Sequence, residues 1–265
     1  MYNKHHLFRK PINLDTSSIL CYLDAVWGLR RRPRNLAGWI WLMQQYWNVP
    51  DYEQARFDRV LQNASHLSLP ESRREQLWQQ FTDENIRYIL SGLPIYPSWR
   101  VLEIGCGVGR LLKALSPHVA SVYGVDFSPQ MVAFSKRYLD GCPNTTVLEN
   151  NGRDVAMFRD EIFDACIAVL LFQEIGSLEI MRGYLREAHR VLKPGGWLRF
   201  QTRLGPPPLA VRLRGFWKRT EAKTSTRGEI DQMLGEAGLE MVKFETQTFL
   251  NGQRWAWVSA RRPEF

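Results

Sequence analysis

Two carboxylates and three glycines carry the chemistry this sequence advertises most openly. Glu103 is the one polar residue in the run Val101-Leu102-Glu103-Ile104, and Gly105, Gly107 and Gly109 follow at alternate positions. Helix-forming residues begin at once with Arg110. A short strand that turns through glycines into a helix presents bare backbone N–H groups and a helix N-terminus to whatever binds there. The spacing is G-x-G-x-G, not the G-x-G-x-x-G of dinucleotide-binding turns. Asp126 ends a second apolar run, Ser121-Val122-Tyr123-Gly124-Val125. Strand, helix, strand in that order predicts a right-handed parallel crossover, which brings Asp126 beside the glycine turn. A carboxylate there can accept hydrogen bonds from both hydroxyls of a ribose.

More polar residues stand at the ends of later runs. Phe127-Ser128-Pro129-Gln130-Met131 follows Asp126, with Ser128 placed as an N-cap and Pro129 at the first helical position. Asn150-Asn151-Gly152-Arg153-Asp154 follows the strand-like Thr145-Thr146-Val147-Leu148-Glu149. Phe163 to Leu171 is nearly continuous apolar sequence, the signature of a central parallel strand covered on both faces. Val169 lies near its end, and Glu174 comes just after, where ligands bind in open α/β sheets.

Glu103 with its glycine triplet, the tetrad Asp126-Phe127-Ser128-Pro129, Phe163-Asp164 and the string Val191-Leu192-Lys193-Pro194-Gly195-Gly196 resemble, in order, the motifs of the class I S-adenosylmethionine-dependent methyltransferases. The resemblance covers residues 98 to 201 well and 225 to 261 moderately. It implies a Rossmann-like α/β fold: a mostly parallel seven-stranded sheet with a C-terminal antiparallel hairpin, plus N-terminal helices. It also implies S-adenosylmethionine as cofactor. On that resemblance, Gly105, Cys106, Gly107 and Gly109 face the amino-acid end of the cofactor, and Glu103 answers its ammonium. Asp126 holds the ribose, Phe127 and Met131 flank the adenine or read equally as ordinary core, and Val169 is a further cofactor-binding residue. Asn151 takes the adenine amino group and the backbone N–H of Arg153 a ring nitrogen; a slip of one residue would hand these roles to Asn150 or Gly152. An Asn-Gly turn without a ligand reads equally well from the residues themselves.

The mechanism implied is in-line attack of a substrate nucleophile on the sulfonium methyl. The protein then chiefly aligns donor and acceptor and excludes water. A base is needed only where the acceptor must lose a proton. Many relatives carry histidine where this chain has Glu174. Glu174 and Tyr184 are the candidate catalytic helpers, and Glu174 reads equally as a cap of the next helix. No metal-ligand cluster stands out.

These residues need elements to hold them. The chain has 265 residues, of which 45% are hydrophobic, enough for a large core. Its two parts are a helical N-terminal region, 1–97, which the resemblance implies covers the cofactor and lines the substrate pocket, and a methyltransferase domain, 98–265. In the first region, helices are expected near 19–27, over Leu36 to Trp47, from Tyr52 to about Asn63, and over Ser72 to Leu90. Arg30, Arg31, Arg32 and Arg34 beside a Trp-rich run could meet a membrane interface, or sit solvated beside a buried helix. In the second region, Leu178 to Leu192 is a helix stopped by Pro194-Gly195-Gly196, and Trp197 to Phe200 is a fifth strand. Leu209 to Thr220 is basic and apolar together. Thr226-Arg227-Gly228-Glu229 is a capping box. Leu239 to Phe249 and Arg254 to Arg261 pair through Asn251-Gly252.

The formal net charge is +8. Such a balance could draw RNA, an anionic membrane surface or an acidic substrate, and does not choose among them. The four cysteines show no CxxC pairing, so a reducing, cytoplasmic setting is expected. No run of about 18 apolar residues is present. The leading expectation is methyl transfer to a small-molecule acceptor. The alternatives are an RNA methyltransferase, a membrane-bound lipid or quinone as acceptor, and a non-catalytic protein that kept the fold.

Overall fold

A computed structural model describes residues 36–56, 68–175, 177–205, 225–248 and 254–264. Seven strands form one sheet: β1 (Arg100–Ile104), β2 (Ser121–Asp126), β3 (Thr145–Glu149), β4 (Phe163–Ala168), β5 (Leu192–Leu204), β6 (Glu240–Thr248) and β7 (Arg254–Arg261). Their order across the sheet is β3-β2-β1-β4-β5-β7-β6. The first five run parallel, and β7 is antiparallel to both β5 and β6. The expected seven-stranded Rossmann-like fold with an antiparallel C-terminal pair is therefore present. Strand order reverses between β1 and β4, and that reversal opens a crevice at their carboxyl ends.

The longer helices among the described residues are α1 (Leu36–Trp47), α2 (Glu71–Gly92), α3 (Arg110–Leu115), α4 (Pro129–Tyr138), α5 (Leu178–Val191) and α6 (Arg227–Glu236). Local chemistry sets several of their ends. The Ser128 hydroxyl accepts a hydrogen bond from the Met131 N–H, with Pro129 at the first helical position. Thr226 and Glu229 cap α6 reciprocally. Gly92 ends α2, and Leu93 leaves it in an extended conformation. From Tyr52 a short α-helical turn to Gln54 is described.

The α2 helix is fastened to both halves of the sheet by buried arginines. Arg199 on β5 is fully buried; it donates to the Tyr88 carbonyl, the Ser259 hydroxyl and, at 2.6 Å, Glu245 on β6. Arg110 at the start of α3 donates to the Asn85 side chain at 3.0 Å and to the Phe81 carbonyl. These charge-assisted bonds, with those from Gln247 to Glu84 and from the Ser259 hydroxyl to the Gly92 carbonyl, fix the register of α2 against the sheet.

The structure departs from the sequence reading at two boundaries. β4 ends at Ala168, not Leu171, because Leu170 adopts a left-handed backbone (φ 57°) that turns the chain across the crevice. α5 ends at Val191, where Leu192 is already extended; Pro194, Gly195 and Gly196 lie inside the opening of β5, where its register against β4 shifts. Those residues form an irregular strand entry and not the helix stop. The expected helices near 19–27 and 209–220 and the Asn251-Gly252 turn lie outside the described residues.

Candidate functional site

A cavity opens at the carboxyl ends of β1, β2 and β4, and takes in about 1010 Å³ of empty space, its open mouth included. The glycine turn forms its floor through Gly105, Cys106 and Gly107, with Glu103 and Asp126 beside it. Phe127 and Gly152 form one side, and Val169, Leu170 and Leu171 the other. Glu174 and Tyr184 also line it. Ile40, Met43 and Trp47 of α1 also line it, so the N-terminal helix covers the crevice.

The glycines serve different ends. Gly107 has φ 53°, and a Cβ there would meet nothing within 4 Å, so its bare face looks onto empty space. Gly109, the N-cap of α3, has φ 82°, and a Cβ would overlap the Ser135 hydroxyl and crowd Leu139. The first is open to a ligand. The second is required by helix packing, and it does not line the cavity.

The two acids are strongly perturbed. Glu103 is 2% exposed, and its Oε2 has no hydrogen-bond partner among the described residues. Burial holds its carboxyl well above the usual carboxylate range, against the opposing pull of the nearby Arg110 guanidinium. Asp126 is 7% exposed and is pushed up to about 6 by burial. Its two oxygens accept from the Gly107 N–H at 2.9 Å and the Ser128 N–H at 3.0 Å, which partly offsets that cost. Cys106 is buried, and its thiol is held neutral by the same desolvation, strengthened by the two acids.

Tyr184 is 4% exposed, and its hydroxyl accepts from the Asn150 side-chain amide at 3.0 Å. Burial drives it above the normal phenol range. Glu174 does not cap α5, whose N-cap is Ser177.

Three further residues singled out from sequence lie off the cavity wall. Met131 is fully buried in a cluster with Val49, Trp78, Val108 and Phe134. Asn151 is exposed, and its Oδ1 accepts from the N–H groups of Arg153 and Asp154 at 2.8 and 3.0 Å. This Asx turn engages both the Asn151 carbonyl oxygen and the Arg153 N–H that were expected to meet adenine. Their neighbours are better placed: Gly152 lines the cavity and Asn150 bridges to Tyr184. Sequence reasoning missed Arg110, Ile40, Met43, Trp47 and Ile180 as cavity residues. The position of Arg110, directly after the last glycine of the turn, was the available signal.

The charge of this wall decides what suits it. Among the described lining residues, Glu103, Asp126 and Glu174 are acidic and Arg110 alone is basic. Most of the remainder is apolar. A ligand with a nucleoside part, an apolar stretch and a cationic end fits such a lining. The unpartnered Glu103 oxygen and the open face of Gly107 fit the ammonium-bearing end of S-adenosylmethionine.

Fold and site together define a Rossmann-like domain of the methyltransferase type. Residues 102–200 match the family described as a methyltransferase domain. A demethylmenaquinone methyltransferase of Tropheryma whipplei is 35% identical over 98 residues, 37% of this chain and 39% of that protein. A ubiquinone biosynthesis O-methyltransferase of Cereibacter sphaeroides is 26% identical over 200 residues, covering 72% of this chain and 79% of its own. Among solved structures, phosphoethanolamine N-methyltransferase 2 of Haemonchus contortus with S-adenosyl-L-methionine superposes with TM-score 0.57 at 16% identity. It covers 68% of this chain and 52% of its own. The [4+2]-cyclase SpnF superposes equally well, TM-score 0.57 at 18% identity, over 69% of this chain and 80% of its own. Sequence match and fold together make residues 102–200 a methyltransferase domain of the S-adenosylmethionine-dependent type, and the chain spans about two fifths of the length of the Tropheryma whipplei relative.

Proposed function

We propose that the chain transfers a methyl group from S-adenosylmethionine to a nucleophilic O, N or C of a small molecule. The observation that carries this reading is the cavity at the strand-order reversal: acidic at the glycine turn, apolar elsewhere and covered by α1. The cofactor supplies an electrophilic methyl on a positively charged sulfur. Glu103 would hold the cofactor's ammonium and Asp126 its ribose. Phe127 and Gly152 would border the adenine, and the Gly105–Gly107 backbone would pass along its amino-acid end. Residues 1–97 act as cover and substrate region, and residues 98–265 as the transfer domain.

The chain's own contribution is to align and to exclude water. Leu170, Leu171, Ile175 and Ile180 keep the acceptor side apolar. Glu174 is the group placed to take a proton from a hydroxyl or ammonium acceptor. Tyr184, held neutral, can only donate a hydrogen bond or position Asn150. The acidic wall disfavours the RNA reading, since phosphates would meet three carboxylates and one guanidinium. A cytoplasmic setting accords with free thiols at Cys106, Cys142 and Cys166. No helix among the described residues is long and apolar enough to cross a membrane.

The cyclase neighbour makes the direct test necessary, because shared fold does not fix the reaction. Calorimetry with S-adenosylhomocysteine should show binding, and incubation with methyl-labelled cofactor and a library of small acceptors should yield a labelled product. Binding without labelled product from any acceptor would leave a non-catalytic or differently catalytic protein.

A further inference from the structure

The strand β5 carries a second buried polar group past the last residue that β4 pairs. The β4–β5 ladder ends at Ala168 opposite Phe200. Arg203 lies three residues further on, at the carboxyl end of the sheet. It is 4% exposed, and its Nε and Nη1 have no hydrogen-bond partner among the described residues. Gln201 stands two residues before it on the same face of β5; it is 3% exposed and its Oε1 is likewise without a partner. Across the ladder, Arg203 faces Trp255 and Gln201 faces Trp257, and the guanidinium lies 5.7 Å from the Trp255 ring centre. A buried guanidinium with unused donors is costly, and the cost persists only where something compensates it. The nearby carboxylate of Glu174, a cavity-wall residue, acts on Arg203 electrostatically. That sets the cluster next to one residue of the cavity lining, although Arg203, Gln201 and Trp255 do not line the cavity themselves.

We infer that Arg203, with Gln201 on its face of β5 and Trp255 beside it, receives a carboxylate on the methyl acceptor. The inference rests on the methyltransferase reading and adds the chemical class of the substrate. A guanidinium presents paired N–H donors in the plane that a carboxylate matches bidentately. The carboxamide oxygen of Gln201 accepts from a hydroxyl or amide on the same molecule. Trp255 beside the guanidinium suits a flat or unsaturated body; the Trp257 ring is already stacked on Tyr88 and covered by the Arg199 guanidinium. The acids that line the cavity suit the cofactor's cation; Arg203, outside that lining and next to Glu174, suits the acceptor's anion.

The test compares each carboxylate with its uncharged amide: benzoate with benzamide, 4-hydroxybenzoate with 4-hydroxybenzamide, and octanoate with octanamide. Binding is measured by calorimetry on the full chain saturated with S-adenosylhomocysteine. At least one carboxylate should bind about tenfold or more tightly than its amide. Arg203→Leu should abolish that preference, Arg203→Lys should keep part of it, and both should bind S-adenosylhomocysteine within about twofold of the parent. Gln201→Leu removes a buried polar atom without leaving a charge, so it should fold at least as well and still weaken the carboxylate. Equal binding of carboxylates and amides, or no carboxylate bound below about 1 mM, overturns the inference. Failure of S-adenosylhomocysteine itself to bind would instead count against the methyltransferase reading. The carboxylate preference can then still be read without it.

Discussion

Gly107 and Gly109 share a backbone conformation and differ in what surrounds them, so the same substitution should separate ligand binding from folding. Gly107→Ala places a Cβ in open space and should cost only about 1 kcal/mol of stability, the strain of a left-handed alanine. It should weaken S-adenosylhomocysteine about tenfold or more. Gly109→Ala drives a methyl into Ser135 and Leu139 and should cost about 2–3 kcal/mol, with the melting temperature falling accordingly. Asp126 predicts a trade of a different kind. Its folded value of about 6 lies above the ordinary 3.8, so the folded state binds that proton more tightly than the unfolded chain. Stability from this group is fullest below pH 3.8, falls as pH rises from 3.8 to about 6, and stays reduced above. Asp126→Asn should therefore leave the protein as stable as the parent or up to about 3 kcal/mol more so at pH 8, with the gap closing toward pH 4. Denaturant melts at the two pH values check this. Affinity for S-adenosylhomocysteine should drop sharply in the same variant. The glycines and Asp126 were legible in the sequence because spacing along one strand–turn–helix unit fixes them. Asn151 was not: two adjacent asparagines offer the same chemistry, and only the Asx turn decides which one folds back on its own backbone.

Elements were readable wherever a local signal ended them. Ser128 with Pro129, Thr226 with Glu229, and Gly92 each stop or start a helix by chemistry within four residues. The end of β4 and the entry into β5 were misread because they depend on a left-handed Leu170 and a register shift between neighbouring strands. Neither leaves a mark in one-dimensional periodicity. The docking of α2 was also invisible, since it hangs on Arg199, which reads as a surface-type residue in an apolar strand. Arg199→Met should leave the Tyr88 carbonyl without its donor, while Glu245 keeps Lys243, and lower stability by about 1–3 kcal/mol. Urea unfolding measures the loss. S-adenosylhomocysteine affinity in the variant, measured below its transition, should stay within about threefold of the parent, because the tether lies away from the glycine turn.

For the molecule as a whole, the charge of +8 and the sign of the cavity disagree, and the disagreement is informative. Composition alone favoured nucleic acid as strongly as anything else. The cavity wall reverses that sign where the chemistry would occur. Raising KCl from 50 to 300 mM should therefore leave S-adenosylhomocysteine affinity unchanged within about twofold, whereas any RNA retained on the basic exterior should be lost steeply. Filter binding against calorimetry at the two salt levels distinguishes them. An RNA that survived the higher salt and displaced S-adenosylhomocysteine would overturn the small-acceptor reading.

The sheet also fixes a sequence of events during synthesis. β7 is threaded between β5 and β6, although it is the last of the seven to leave the ribosome. Until it emerges, β6 has no neighbour to pair with and Arg199 lacks its Ser259 partner. The nascent chain can complete its glycine turn early, yet α2 cannot be fully moored until translation has passed residue 259. A stalled or truncated product would leave the ribosome with its glycine turn formed and α2 only partly moored, a form that chaperones and proteases would meet first.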